Sequence, residues 1–343
     1  MAERFRDILV VDLLGGIGDL CMVLPAVHAL HRAHPGAALR VLTHAPGADL
    51  LRSDRAVTEV RRAERHRERA AVVAELDRCP PDLVVSTTRF DGIAEEIEAR
   101  GMRSVTDMWR RPPDDEPVAR RYVAILAAEG LVEGGYRPPS IHLTAAEQAV
   151  ADRTLSGVAP SGAPVVLVPG AGMAVKRWPH WPRLASALAR SGEPPLVVAG
   201  GGSAPGWGGA PVRPLPPTDL RSLAALFAAV GRRGGVVVGP DTGPVRVAAA
   251  VGARTVGLFG PTLAARYGLD PPALDLQGLP GCTHRRPTAI TEQVCWWQAA
   301  CPLSTAGPAC MADIEPGAVH AALARVVGRG GPPTDAVEVR ASG

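Results

Sequence analysis

A glycine-rich turn followed by a carboxylate is the first feature of this sequence that can do chemistry. Gly16 and Gly18 lie between an apolar run at residues 8–11 and an apolar helix pattern, and Asp19 follows directly. Glycines at such a turn let the backbone approach a ligand closely. A dinucleotide fingerprint is disfavoured, because Cys21 occupies its third glycine position and no acid ends the second strand. Asp19 is therefore either a carboxylate facing a cleft or a cap of the helix N-terminus.

A second candidate site lies in the stretch VPGAGMAVKRWPHWP. The small residues Gly170, Ala171 and Gly172 follow a predicted strand and leave backbone N–H groups accessible. Lys176, the one lysine of the chain, adds a mobile positive charge. This combination suits a diphosphate. The alternative is a solvated surface lysine after a flexible loop.

A third candidate site opens the helix that follows VVVGPDTGP. Asp241 ends a predicted strand, Thr242 offers a hydroxyl and Gly243 an open amide. Thr262 lies in the turn after the next strand, at the same predicted sheet edge. Asp and Thr are also ordinary helix caps. Three ligand-like loops at one edge nevertheless favour a binding site.

Four of the six cysteines are concentrated in a Pro- and Gly-rich segment near the end of the chain. Four thiols so close can hold a structural zinc or iron ion, although no C-x-x-C pair is present. We expect such a site to lie away from Asp19 and Lys176. The alternative is reduced thiols packed as small hydrophobes. The four residues are Cys282, Cys295, Cys301 and Cys310.

The composition bounds the class of protein. The chain has 343 residues, 46% of them hydrophobic and 21% charged, which is typical of a globular protein with two domains. The net charge is only +3, which does not indicate a nucleic-acid partner, and we expect none. The sequence shows no transmembrane segment and no signal-peptide pattern, so the expected location is cytoplasmic.

Short β-branched runs alternate with helix-length segments in both halves, a pattern that predicts an α/β fold of two doubly wound units. The predicted strands are DILVVD, ALRVLTH, DLVVST and MRSVTD, then APVVLVPG, PPLVVAGG, GGVVVGPD and RTVGLFGPT. We place an N-terminal domain at residues 1–155, a second domain with the cysteine-rich segment at 156–330, and a disordered tail at 331–343. His28, His31 and His34 on the first predicted helix are interpreted as helix surface and packing, without partners that would make them a site.

These motifs, in their order and spacing, resemble glycosyltransferase family 9, the ADP-heptose heptosyltransferases. The resemblance rests on GGIGDLCMVLPAVHAL, VARRYVAILAAEGLV, VPGAGMAVKRWPHWPRLA, VVVGPDTGPVRVAAAVGARTVGLFGPT and CMADIEPGAVHAAL. It implies a GT-B fold, in which two Rossmann-like domains face a cleft, with the acceptor on the first and the nucleotide sugar on the second. It also implies inverting transfer without a catalytic metal or cofactor, from a donor such as ADP-heptose to an acceptor that the sequence does not identify.

By this resemblance Asp19 matches the family's proposed catalytic base and Lys176 its phosphate-binding lysine, while Asp241 begins its donor-binding D-T-G. Arg246 stands where the family usually has His, and GGGSAPGWGGAPVRPLPP replaces a helix whose glutamate helps to hold the donor sugar. Some relatives that heptosylate proteins carry a four-cysteine iron site. The residues expected to bind substrate are Gly16, Gly18, Gly170, Ala171, Gly172, Lys176, Asp241, Thr242, Gly243, Arg246 and Thr262.

Two other functions fit the same fold. A catalytically silent protein would bind a sugar nucleotide or support a partner transferase. A nucleotide-sugar epimerase would need further acid and base groups around the sugar. Turnover of a nucleotide sugar with an acceptor separates transfer from both.

Overall fold

The computed structural model describes residues 4–110, 113–190, 196–198, 207, 209–210 and 212–328. These residues form two parallel β-sheets, one from each half of the chain, with helices on both faces of each sheet. The predicted tail at 331–343 and half of the segment that departs from the family pattern, GGGSAPGWGGAPVRPLPP, lie outside the described residues.

The first half of the chain forms a five-stranded sheet. Its elements are β1 (Asp7–Asp12), α1 (Ile17–Ala33), β2 (Ala38–His44), α2 (Gly47–Leu50), β3 (Glu59–Ala63), α3 (Glu68–Arg78), β4 (Leu83–Ser86), α4 (Ile93–Ala99), β5 (Arg103–Val105) and α5 (Val118–Ala128). The strand order is β3-β2-β1-β4-β5, and Ile8 of β1 pairs with Leu39 of β2 and Leu83 of β4. Helices α1 and α5 cover one face, and α3 and α4 cover the other. Because the strand order reverses between β1 and β4, a ligand crevice is expected at their carboxyl ends.

The second half forms a six-stranded sheet of the same kind. Its elements are α6 (Ala145–Val158), β6 (Val165–Leu167), α7 (Trp181–Arg190), β7 (Leu196–Val198), β8 (Val212–Pro214), α8 (Leu220–Arg232), β9 (Val236–Pro240), α9 (Gly243–Ala250), β10 (Arg254–Phe259), α10 (Ala264–Tyr267), β11 (Leu274–Gln277), α11 (Ala309–Ala312) and α12 (Pro316–Gly328). The order is β11-β10-β9-β6-β7-β8. The reversal between β6 and β9 places a second crevice at their carboxyl ends.

The two halves share one continuous apolar core. Buried side chains of α1 and α5 belong to the same cluster as those of α8 and α9. Helix α6 packs on α8, and the Ile141 amide donates to the Ala250 carbonyl across 3.0 Å. Residues 145–155 therefore pack with the second sheet, although the sequence analysis assigned them to the first domain. We propose that the boundary lies between α5 and α6.

The predicted α/β architecture is confirmed. All eight predicted strands are present as β1, β2, β4, β5, β6, β7, β9 and β10, whereas β3, β8 and β11 were not predicted. Among the described residues, no helix combines the length and the apolar composition needed to cross a membrane.

Candidate active site

The loops at the carboxyl ends of the two sheets meet at a seam between two glycines. A Cβ on Gly243 would lie 2.7 Å from the Cβ of Ile17, and a Cβ on Gly18 would lie 3.1 Å from the Cδ of Arg246. A side chain at Gly243 would overlap Ile17, and one at Gly18 would press on Arg246, so these two glycines let the N-termini of α1 and α9 approach closely. We predicted both glycines as substrate-binding residues; the structure shows that they bring the two halves together.

Asp19 lies in the first turn of α1 and is partly exposed. Its Oδ2 accepts a hydrogen bond of 3.0 Å from the Gly16 amide, so the capping interpretation holds for this oxygen. In the described part of the chain, Oδ1 has no hydrogen-bond partner and remains available for a proton. Burial raises the pKa of Asp19 above its ordinary value, although the charges of Arg246 and Lys176 act to lower it. A carboxylate with a raised pKa is a stronger base.

Asp241 collects three donors in the second half of the site. Lys176 Nζ donates to Oδ2 at 2.9 Å and to the Asp241 carbonyl at 2.9 Å. Arg246 reaches Oδ1 through Nη2 at 2.7 Å, and the Thr262 hydroxyl donates to Oδ2 at 2.9 Å. Burial acts to raise the pKa of Asp241, but Lys176 and Arg246 outweigh it and hold the pKa well below its ordinary value. Asp241 is therefore a charged anchor for the two cations.

The residues predicted to bind substrate fall into two groups: those that are buried and bonded to Asp241, and those that remain open to a ligand. Thr262 and Arg246 are buried and bonded to Asp241, and Arg246 also donates to the Tyr267 carbonyl. In contrast, Gly172 is exposed with open space around it. Thr242 begins α9 without a side-chain cap, and its hydroxyl donates to the Pro240 carbonyl at 3.2 Å. The first amides of α9 therefore remain available to an anion.

A buried acid that the sequence analysis missed lies beside Asp19. Asp12 ends β1, and its Oδ1 accepts a hydrogen bond of 2.7 Å from the Thr87 hydroxyl. Burial raises the pKa of Asp12 to about 7, and the charge of Asp19 contributes to this increase. The hydroxyl of Tyr122 is buried nearby and has no hydrogen-bond partner among the residues that the structure describes. An acid at the carboxyl end of a predicted strand was the available signal.

Replacing Asp12 by Asn should change the pH dependence of stability. The folded chain holds the Asp12 proton up to a pKa of about 7, whereas an unfolded Asp loses it near its ordinary value. The stability that Asp12 contributes is therefore complete below about pH 4 and is lost as the pH rises through 7. We expect Asp12→Asn to gain unfolding free energy relative to wild type between pH 4 and 8, by at most about 4 kcal/mol, because each tenfold change in an ionisation constant is worth about 1.4 kcal/mol. Urea unfolding at both pH values measures this, and a pH-independent difference contradicts it.

The four cysteines line one small cavity of about 20 Å³, together with Arg285. All of them are free thiols. Within the described part of the chain, the three side chains with ligand atoms all within 4.8 Å of one another are His28, Asp54 and His142, not the cysteines.

The expected separation of the cysteine cluster from the rest of the site is wrong. Trp296, next to Cys295, lies with its ring 5.4 Å from Lys176 Nζ. Arg285 donates to the Gly260 carbonyl, two residues before Thr262. The cysteine-rich segment therefore packs directly against the loops that hold Lys176 and Thr262.

Two cavities flank the seam. One of about 120 Å³ lies on the first half beside Gly16 and is lined by His44 and Arg65, whose Nη2 donates to the Gly15 carbonyl at 2.6 Å. The other, of about 310 Å³, lies between the halves and includes Arg246 in its wall.

The fold matches solved glycosyltransferases over nearly its whole length. It is similar to the family 9 glycosyl transferase from Veillonella parvula DSM 2008, with 17% identity, a TM-score of 0.76, and 96% of this chain and 99% of that chain covered. The E. coli ADP-heptose LPS heptosyltransferase II shares 20% identity at a TM-score of 0.67, with 94% and 99% covered. The iron-containing dodecameric glycosyltransferase TibC from enterotoxigenic E. coli H10407 shares 13% identity at a TM-score of 0.60, with 94% and 76% covered. These similarities confirm the GT-B fold.

At the sequence level, no curated protein matches the chain. The model of glycosyltransferase family 9 (heptosyltransferase) matches residues 91–276, more than half of the chain. Lys176, Asp241 and Arg246 lie inside the match, and Asp19 lies outside it. On this match, the chain belongs to glycosyltransferase family 9.

Proposed function

We propose that this glycosyltransferase moves a sugar from a nucleotide diphosphate to an acceptor hydroxyl with inversion at the anomeric carbon. The observation that carries the proposal is the position of Asp19. This carboxylate comes from the first half, yet Arg246 and Lys176 of the second half are close enough to act on its pKa. A carboxylate base on one side of the seam and a cationic site for the sugar donor's diphosphate on the other suit a single displacement at the anomeric carbon.

In this displacement Asp19 Oδ1 takes the proton of the acceptor hydroxyl while that oxygen forms its bond to the anomeric carbon. The bond from the anomeric carbon to the diphosphate oxygen breaks, and its electron pair leaves with the nucleotide diphosphate. General-base assistance of this kind is worth ~10²–10⁴ in rate. Oδ2 keeps its bond to the Gly16 amide, which holds the carboxylate in place.

The leaving diphosphate gains negative charge that the second half can stabilise. Lys176 uses two of its three N–H donors on Asp241, so one remains for a phosphate oxygen. The uncapped amides of α9 and the exposed loop at Gly172 offer further donors. Preorganised donors of this kind act where charge develops in the transition state.

We infer that the donor is ADP-heptose or a close relative of it. A second structure of TibC, which shares 12% identity with this chain at a TM-score of 0.60, contains ADP-D-β-D-heptose. For the acceptor we propose the cavity beside Gly16, since it lies on the first half next to Asp19. His44 and Arg65 give it a polar wall that suits a hydroxylated or anionic acceptor.

The decisive experiment offers the purified chain a panel of nucleotide sugars with candidate acceptors, and follows nucleotide diphosphate release and product mass. Transfer predicts release that depends on the acceptor and a product heavier by one sugar. Binding of the donor without release identifies a silent protein. Conversion of the donor to an isomer without an acceptor identifies an epimerase.

Replacing Lys176 by Ala should weaken donor binding, because the variant loses the phosphate contact and uncovers one side of Asp241. We expect calorimetry with ADP to show at least about a tenfold loss of affinity, or ~1.4 kcal/mol. Lys176→Arg should restore it only in part, since a planar guanidinium cannot replace a compact ammonium at Asp241. If wild type and Lys176→Ala bind ADP with equal affinity, Lys176 does not contact the donor and has only a structural role.

We also propose that the four cysteines hold a structural zinc or iron ion. They line a common cavity, and four thiols are the donor set that both ions prefer. The sulfur atoms would have to draw together, because tetrahedral zinc needs them about 3.8 Å apart.

Chelation tests this ion. If it is present, we expect a chelator to lower the melting temperature, and through Trp296 and Lys176 to weaken ADP binding as well. Elemental analysis of protein made without a His-tag is the direct check. Less than about a tenth of an equivalent of zinc or iron, with full stability, leaves the thiols as packing groups.

The location of the chain is proposed to be the cytoplasm. Six free thiols suit a reducing compartment. Measurement of the thiol content of protein taken directly from its host, under acid quench, tests this proposal.

A further inference from the structure

Two histidines from distant segments converge on one buried carboxylate, away from Asp19 and Lys176. His28 lies in α1, Asp54 in the turn between α2 and β3, and His142 in the segment between α5 and α6. The Asp54 side chain is 2% exposed and the His28 side chain is 12% exposed, while His142 is half-exposed. His28 therefore packs at the helix surface, as interpreted from the sequence, but it has partners there that the sequence did not reveal.

The spacing of the three side chains suits an ion better than it suits hydrogen bonds alone. His28 Nε2 lies 2.7 Å from Asp54 Oδ2, and His142 Nδ1 lies 3.7 Å from Asp54 Oδ1, too far for a hydrogen bond. All three ligand atoms lie within 4.8 Å of one another. Tetrahedral bonds of 2.0–2.1 Å place ligand atoms about 3.4 Å apart, which is within the 4.8 Å limit that all three ligand atoms meet. Side-chain shifts on the order of 1 Å would bring the three atoms to that spacing around an ion.

The backbone around the three side chains is fixed by other contacts. Asp54 Oδ1 accepts a hydrogen bond of 2.9 Å from the Ala56 amide. The carbonyl of His142 accepts one of 2.7 Å from Arg221 of α8, whose Nη1 also donates to the Leu50 carbonyl at 3.0 Å. The carboxylate and one imidazole thus belong to anchored segments, as preorganised ligands require.

We propose that His28, Asp54 and His142 bind a zinc-class divalent cation. Two imidazoles and one carboxylate favour zinc or its first-row neighbours over magnesium and calcium, which prefer all-oxygen sites. The half-exposed side of His142 admits the ion and leaves a fourth position for water. His28 and Asp54 belong to the first half, while His142 precedes α6, which packs on the second. The ion therefore clamps the junction of the two halves.

The test compares zinc binding by the full, untagged, chelator-stripped chain with that of His142→Gln. This variant removes a half-exposed side chain and keeps all four cysteines, so any difference between the proteins isolates the proposed site. His31→Gln is the matched control, because it removes a histidine of α1 one turn from His28. The readouts are zinc equivalents by elemental analysis, zinc affinity by calorimetry and the melting temperature with and without zinc. Magnesium is the control cation that should not bind.

Wild type and His31→Gln should bind one more equivalent of zinc than His142→Gln. For that equivalent we expect a loss of more than about 100-fold in affinity on removal of His142, because even the partners of metal ligands are worth 10–100-fold. Zinc should raise the melting temperature of wild type more than that of His142→Gln. Equal equivalents and equal melting shifts in all three proteins, or zinc held only at millimolar concentration, overturn the proposal and leave a histidine–aspartate ion pair.

Discussion

Asp19→Asn should reduce the rate of transfer by ~10²–10⁴ while ADP still binds. The Asn side chain is too weakly basic to take the acceptor's proton, but its oxygen can still accept the hydrogen bond from the Gly16 amide, so the turn keeps its shape. In wild type, the rate should fall as the pH drops through the pKa of Asp19. Since that pKa is raised, the loss begins above the pH at which an ordinary Asp is protonated. Steady-state rates across pH, with calorimetry for ADP, measure both effects.

Asp219→Asn is the matched control for this variant. Asp219 also begins a helix, where its Oδ1 accepts a hydrogen bond of 2.7 Å from the Ser222 amide, but it lies on α8 outside the seam. Its replacement should leave the transfer rate within about twofold of wild type, because an Asn cap differs little from an Asp cap. If Asp19→Asn keeps more than about a tenth of the wild-type rate, the loss is under ~1.4 kcal/mol and another group is the base.

Asp241→Asn should cost the largest amount of stability of any single change at the site. The carboxylate is the buried counter-ion of both Lys176 and Arg246. An amide leaves two cations without it, and breaking a buried ion pair in this way costs about 3–5 kcal/mol. Denaturant unfolding of the variant measures the loss directly.

Asp107→Asn provides the comparison for that measurement. Asp107 pairs with Arg89 at 2.8 Å, but both side chains are nearly half exposed. Removing this charge should change the unfolding free energy by less than about 1 kcal/mol, because surface pairs contribute little. Equal losses of unfolding free energy for Asp241→Asn and Asp107→Asn would mean that solvent reaches position 241 and hydrates Lys176 and Arg246.

The sequence predicted the parts of the fold that bury apolar side chains on both faces. Strands such as β1 and β9 are short, continuous apolar runs, which are typical of central parallel strands buried on both faces. The strands that were missed, β3, β8 and β11, all lie at sheet edges. Their half-exposed sequences, EVRRA, VRP and LDLQ, carry charges or a proline and show no apolar run. Edge strands are held by one neighbour, so their sequences need little hydrophobicity.

The sequence could predict only those site residues that lie in short motifs directly after a predicted strand. Lys176, Asp241 and Thr262 come from three loops, and parallel topology brings the ends of neighbouring strands together. Their hydrogen bonds to one another require side-chain geometry that spacing does not contain. Trp296 reaches Lys176 from the cysteine-rich segment, and Asp54 reaches His28 from another turn. Such contacts between distant segments leave no periodic signal in one sequence.

The seam between Gly18 and Gly243 has an electrostatic consequence. It joins the N-termini of α1 and α9, and each helix end carries roughly half a positive elementary charge from its aligned peptide dipoles. Where the two fields overlap, the backbone alone supplies about one elementary positive charge. A diphosphate bound beside the seam therefore retains part of its attraction even when Lys176 is replaced, and that remainder should decline as added salt screens the exposed side of the cleft.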